Sequence, residues 1–265
     1  MSTLRVVPVA CLKDNYAYLV VCETTKQVAV VDPSEAPPVI AALAGLSLTP
    51  RAIWNTHHHF DHTGGNEELA RHYGIEWVSG HASDRGRIAG QTRFLEAGER
   101  FTLGELDVHI LHIPGHTLGA IAYVVRSKGG DVALFTGDTM FHGGCGRLFE
   151  GTPAQMVTSL ASLVGNEEGG DAARVYPGHE YTVQNLRFAR SIEPGHAPIA
   201  AALAVAEKKR AAAEPTVGTT IALERETNPF VRTGSPELRK SLGIDSAADE
   251  ATALGVVREA KNSFQ

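Results

Sequence analysis

The sequence predicts an α+β chain in two unequal parts, strand-rich first and all-α after. Three observations predict it. Short β-prone runs stopped by Gly or Pro recur up to about His179. Beyond Tyr181 the chain turns Ala-rich with helical periodicity, so a division is expected into residues 1–180 and 181–265. At 265 residues and 43% hydrophobic content, the chain can bury a full core and form two unequal domains.

The strand-like run Arg51-Ala52-Ile53-Trp54 comes first and leads into Thr56-His57-His58-His59-Phe60-Asp61-His62. Gly64-Gly65 then breaks the chain, and Asn66 to Tyr73 reads as a helix. Leu106 to Ile113 is a mixed apolar run ending in Pro114-Gly115-His116-Thr117. Val132 to Thr136 ends in Gly137-Asp138-Thr139, and Arg174-Val175-Tyr176 ends in Pro177-Gly178-His179-Glu180. Each run reads as a buried strand entering a tight turn, so each polar residue is aimed from a rigid strand end. Val183–Ile192 and Ile199–Ala213 read as helices, punctuated by Pro194, Pro198 and Pro215. Pro236 and the segment Ala247–Lys261 mark two more.

The His and Asp residues at these strand ends fit two metal ions. His57, His59 and His116 can hold one; Asp61, His62 and His179 can hold the other; Asp138 can bridge them. His57 and His59, two apart in an extended segment, leave the same face. Asp61 and His62 are adjacent and can share an ion only if the chain turns there. Two such ions share a water, lower its pKa towards neutrality and stabilise an oxyanion, which is hydrolytic chemistry. Asp61 and Asp138 are the expected proton acceptors. No serine nucleophile is expected, because Ser34, Ser79 and Ser127 lack the G-x-S-x-G setting. His58 is expected to point away from the ions, and His72 to be exposed on its helix. His81, His109, His112 and His196 are expected to be structural, and whether His142 borders the cleft is left open.

This pattern resembles the metallo-β-lactamase superfamily, which implies an αββα sandwich with the metals at one edge. Asp138, where some antibiotic hydrolases of that fold carry Cys, implies harder sites, with zinc expected first and iron or manganese also suited. Further stretches narrow the resemblance: Gly137 to Thr152, Tyr176-Pro177-Gly178-His179-Glu180-Tyr181-Thr182, Thr227-Asn228-Pro229-Phe230-Val231-Arg232 and Val257-Arg258-Glu259-Ala260-Lys261. Together they look like the glyoxalase II (hydroxyacylglutathione hydrolase) family. That resemblance runs from Asp14-Asn15-Tyr16 to Lys261. It implies that a metal-bridging hydroxide attacks the thioester of S-D-lactoylglutathione, yielding D-lactate and glutathione, the second step of methylglyoxal detoxification. It also implies that Arg147, Tyr181, Arg258 and Lys261 bind glutathione, whose two carboxylates need local cations. Arg258 and Lys261 fall on one helical face. Some members have Tyr where this chain has Phe149, a lost contact worth about 0.5–1.5 kcal/mol. Arg232 is read either as a partner of the metal loops or as an interdomain ion pair, and Cys145 as a buried neighbour of the metals.

Composition bounds the partners. A net charge of −6 with 20% charged residues and a pI near 6.1 gives no nucleic-acid footprint. Three Cys without a C-x-x-C motif fit a reducing compartment, and the start of the chain shows no apolar leader run, so a cytoplasmic protein is expected. No stretch approaches the roughly 18 apolar residues of a membrane span. No exposed heptad stands out, so a monomer is expected. The competing readings are a lactonase or other thioesterase on the same metals, a glutathione persulfide dioxygenase, and a non-catalytic binding protein. A neutral lactone would not need Arg258 and Lys261.

Overall fold

Alternating burial along the strands determines the architecture seen in the computed structural model, which describes residues 4–264. Met1–Thr3 and Gln265, the outer ends of the two expected parts and the start of the segment read for a leader, lie outside the described residues. In chain order the first elements are β1 (Leu4–Cys11), β2 (Asn15–Cys22), β3 (Val28–Val31), α1 (Ala36–Gly45), β4 (Pro50–Trp54), α2 (Phe60–Thr63), α3 (Asn66–Tyr73), β5 (Trp77–His81) and β6 (Arg93–Leu95). Then come β7 (Arg100–Leu103), β8 (Leu106–His112), β9 (Ile121–Arg126), β10 (Val132–Gly137), β11 (Met140–Phe141), β12 (Gly144–Cys145), α4 (Pro153–Val164) and β13 (Arg174–Pro177). The remainder is α5 (Thr182–Ile192), α6 (Ala197–Ala211), β14 (Thr219–Thr220), α7 (Ile221–Thr227), α8 (Pro236–Ser241) and α9 (Glu250–Ser263).

Strands β1 to β6 form one sheet in sequence order, and the second sheet has the order β14-β13-β10-β9-β8-β7. Along β2, Tyr16, Tyr18, Val20 and Cys22 face the layer between the sheets, while Ala17, Leu19 and Val21 face α1 and α3. The same alternation divides β9, with Ile121, Tyr123 and Val125 between the sheets and Ala122 and Val124 on the outer side. Strands buried on both faces must be apolar throughout, which is why these runs read as continuous. The result is the expected αββα sandwich: helices, sheet, sheet, helices.

The helical end has a small apolar cluster of its own, Leu186 of α5 with Ala202, Leu203 and Ala206 of α6, and otherwise packs on the sandwich. Ala253, Leu254 and Val257 of α9 and Phe188 and Ile192 of α5 pack with Met156, Leu160 and Leu163 of α4 against Leu134 and Val175 of the second sheet. α9 starts three residues later than expected, because Asp249 caps it by accepting from Thr252 N at 2.7 Å. Before it, Ala247 N donates instead to the Asp245 side chain in a turn. Pro198 stands in the first turn of α6, where its missing N–H costs nothing. Among the described residues no helix is long and apolar enough to cross a membrane.

Candidate metal centre

Four loops at one edge of the sandwich carry the predicted residues. His57 and His59 follow β4, and the turn required at Asp61 and His62 is the single-turn helix α2, closed by His62 N donating to His59 O at 2.9 Å. His116 follows β8, Asp138 follows β10, and His179 follows β13. Gly137 is required before Asp138 on two counts. Its φ is +50°, and a Cβ there would lie 2.3 Å from the Thr56 hydroxyl.

The seven residues converge. His57 Nε2 and His116 Nε2 lie 3.1 and 3.0 Å from His59 Nδ1. Asp61 Oδ2 lies 3.7 Å from His62 Nε2 and 3.4 Å from His179 Nε2. Asp138 stands between the two groups: one oxygen is 3.4 Å from His62, and the other is 3.5 Å from His116 and 3.3 Å from His179. Each triad has the composition and closeness needed to hold a metal ion.

The donor atoms fit a cation. His62 Nε2 and Asp138 Oδ1 are buried without a hydrogen-bond partner, an arrangement that costs free energy unless something coordinates them. Burial, reinforced by the neighbouring imidazoles, holds His57 far below its ordinary pKa and His59 near 4, so both stay neutral as ligation requires. For His179, burial works against the charged form, but Asp138, Asp61 and Asp14 outweigh it and push the ring up to about 11. The carboxylates therefore draw positive charge to the site.

Behind the inward atoms stands a shell of orienting partners. His179 Nδ1 lies 2.9 Å from Asp14 Oδ1, His62 Nδ1 3.1 Å from Asp32 Oδ2, and His116 Nδ1 2.8 Å from the Arg147 carbonyl. His57 Nδ1 meets the Thr56 hydroxyl, which donates to Asp32. Asn15 donates to Asp61 Oδ2 at 3.1 Å. Such partners fix tautomer and ring direction, leaving the opposite nitrogen aimed inward.

The centre opens into a cleft of about 450 Å³ whose lining includes Arg147, Tyr181, Arg258 and Lys261. Tyr181 stacks on His179, with 4.6 Å between ring centres and 4° between planes. Arg258 is buried, donates to the Cys145 carbonyl at 2.7 Å and lies over the Phe230 ring. Lys261 sits over Phe188 and Phe264, and burial together with Arg258 and Arg147 pushes it down to about 8. Phe149, 63% exposed, borders His59 and His116.

Residues 13–179 match the Metallo-beta-lactamase superfamily, and residues 180–264 match Hydroxyacylglutathione hydrolase C-terminus. A hydroxyacylglutathione hydrolase of Gloeobacter violaceus is 48% identical over 253 residues, 96% of this chain and 97% of that one. The chain belongs to the hydroxyacylglutathione hydrolase family. The expectation of a hydrolase on the metallo-β-lactamase fold is therefore borne out at family level. Among solved structures, ETHE1 from Myxococcus xanthus has the same fold at TM-score 0.64 and 24% identity, covering 97% of this chain and 96% of that one. TTHA1623, solved in a di-iron-bound form, aligns at TM-score 0.57 and 28% identity over 85% of this chain and 99% of that one.

Other predicted residues of this family member fall outside the centre. His58 turns away, with Nε2 2.6 Å from Arg87 and Nδ1 3.2 Å from Asp84. His72 is exposed on α3. His81 and His112 stack on each other, His109 meets Glu168, and His196 meets the Glu226 carbonyl. His142 does not line the cleft; it is buried against Glu224 at 2.7 Å. Arg232 makes a two-pronged pair with Glu193 at 2.5 and 3.1 Å and does not reach the metal loops. Both partners belong to the helical end, so the pair is not interdomain. Asp14 and Asp32 were missed as orienting carboxylates. The signal for Asp32 was present: like the other loop residues it follows a buried strand, β3, and precedes Pro33.

Proposed function

We propose that this chain hydrolyses S-D-lactoylglutathione and related 2-hydroxyacylglutathiones to the hydroxy acid and glutathione, the second step of methylglyoxal detoxification. One observation carries the reading: a two-triad His/Asp centre shares a single cleft with three converging cations. His57, His59 and His116 would hold one divalent ion, Asp61, His62 and His179 the other, and Asp138 both. Zinc is the first candidate, with iron or manganese compatible with the same imidazole and carboxylate donors. Such ions, when bound, supply an acidified water and polarise the thioester carbonyl.

The chain's own residues do the rest. Arg258 and Lys261, on one face of α9, attract the glutathione carboxylates, and Arg147 adds a third charge. Tyr181 offers a hydroxyl and a ring at the wall next to His179. With the glutathione part held there, the acyl carbon is delivered to the Asp61–Asp138 end. Water oxygen adds to that carbon, the C–S bond breaks, and the sulfur leaves as thiolate and takes a proton. The hydrogen bond to His179 holds Asp61 ionised, and at Asp138 the neighbouring imidazoles outweigh burial to do the same, so both carboxylates are free, as weak bases, to accept the proton released by the water. Three free, buried cysteines and a pI near 6.1 support a cytoplasmic monomer acting on a small diffusible thioester, without nucleic-acid or membrane partners.

The test is hydrolysis of S-D-lactoylglutathione by metal-analysed protein, followed as loss of thioester absorbance. Turnover is expected, and Arg258→Met should raise KM roughly tenfold or more with a smaller change in kcat. Absence of turnover in protein carrying two ions would remove this substrate, and lactones and glutathione persulfide would be assayed next.

A further inference from the structure

The β11–β12 hairpin stands between two parts of the proposed site. Asp138 lies two residues before it and Arg147 two residues after it. Its Cys145 carbonyl anchors Arg258 at 2.7 Å, and Phe141 and Cys145 line the cleft. A hairpin with two residues per strand has too few ladder bonds to hold itself. Side chains of the helical end bind it instead. Asn185 of α5 donates to the His142 carbonyl at 3.2 Å. Asn228 donates to the carbonyls of Phe141 and Gly144 at 3.1 and 3.0 Å.

Glu224 of α7, with no exposed surface, completes the set. One oxygen faces His142 Nδ1 at 2.7 Å and accepts from Thr219 at 2.9 Å; the other accepts from Gly143 N and from Asn228, both at 3.0 Å. The hairpin is also pressed close, since a Cβ on Gly144 would lie 2.5 Å from Asn185 Nδ2. Loss of the Glu224 carboxylate would leave Gly143 N–H and His142 Nδ1 unpaired in a dry interior, and the hairpin would shift to find partners for them.

We infer that Glu224 is a positioning residue for the proposed hydrolysis, setting the place of Arg258 and Arg147 through the β11–β12 hairpin. The inference rests on the reading of the cleft given above. Its effect belongs on recognition of the glutathione part, because the cations hang on the hairpin's C-terminal end.

The experiment compares metal-loaded Glu224→Gln and Glu224→Ala with Glu193→Gln. Glu193 is an equally buried carboxylate of the helical end that holds Arg232 and Ser235 and does not touch the hairpin. Amide hydrogen exchange of residues 140–147, Tm, KM and kcat for S-D-lactoylglutathione, and the Kd of glutathione are measured together. Both Glu224 variants should speed hairpin exchange, with KM and Kd rising several-fold in Gln and roughly tenfold in Ala while kcat changes less. Glu193→Gln should lower Tm without either effect. Unchanged hairpin exchange, unchanged glutathione affinity, or an equal rise in KM for Glu193→Gln would each overturn the inference. If the wild-type protein does not turn over the thioester, the proposed function falls by itself; exchange and glutathione affinity still decide the role of Glu224.

Discussion

Lys261 carries its charge where charge is unwelcome. Burial, with Arg258 and Arg147 nearby, lowers its pKa from 10.5 to about 8, and its contacts are the rings of Phe188 and Phe264. A bound carboxylate would reverse this by favouring the ammonium. KM for a glutathione thioester should therefore be lowest below pH 8 and rise roughly three- to tenfold by pH 9, a dependence that Lys261→Met should flatten. The stability sign is opposite. Because the folded pKa lies below the unfolded one, the folded protein bears the penalty fully below pH 8 and loses it as pH rises towards 10.5. Ligand-free Lys261→Met should melt above wild type at pH 7, and the gap should close at high pH; a lower melting point at pH 7 would show that the lysine is stabilising instead. At this scale the inward ligands were readable because all follow a strand end: His116, Asp138 and His179 directly behind a Gly, the other four in one run between β4 and the Gly64-Gly65 break. Their orienting partners were not. Asp14 meets His179 across 165 positions and Asp32 meets His62 across 30, separations that only the folded sheet closes.

At the scale of elements, α4 shows how a helix start supports the cleft. Thr152 accepts from Gln155 N at 3.2 Å, the Gln155 side chain accepts from Thr152 N at 2.9 Å, and Pro153 fills the first turn. The cap ends the loop that carries Arg147 and Phe149. Thr152→Ala should cost about 1 kcal/mol in urea unfolding, with kcat close to wild type, because the bonds lost are exposed and the helix keeps its buried face. A loss above about 3 kcal/mol would mean that the cap holds the loop as well as the helix. The elements that the sequence made legible share one property, a period carried by burial on one or two faces: β4, β10, β13 and α3 fall where the apolar runs and the Gly64-Gly65 break put them. Elements fixed by partners elsewhere were not legible. The β11–β12 hairpin has its polar groups taken by Glu224, Asn228 and Asn185, from 43 to 87 positions away. The start of α9 is set by one side chain, Asp249, rather than by periodicity.

At the scale of the whole molecule, two demands meet at the sheet edge. Three apolar layers hold the sandwich without help from the centre, and one of them continues into α4, α5 and α9. The centre itself carries a cost that cations would relieve: it gathers two largely buried His/Asp triads and leaves His62 Nε2 and Asp138 Oδ1 without a hydrogen-bond partner. Metal binding should therefore appear as global stability rather than as local order. An ion present at a hundred times its Kd adds about 2.7 kcal/mol, which for a chain of this size is a Tm shift of roughly 5–11 °C for each ion bound. Chelation should lower Tm by that amount while far-UV circular dichroism at 25 °C stays unchanged, because the apolar layers survive. The drop should be smaller in Asp138→Asn, where the proposed bridge has lost its charge and binding is already weakened. If metal-analysed protein gives up both ions with no change in Tm, the seven residues do not form the proposed two-ion centre, and the orphaned atoms must be satisfied by protons and water instead.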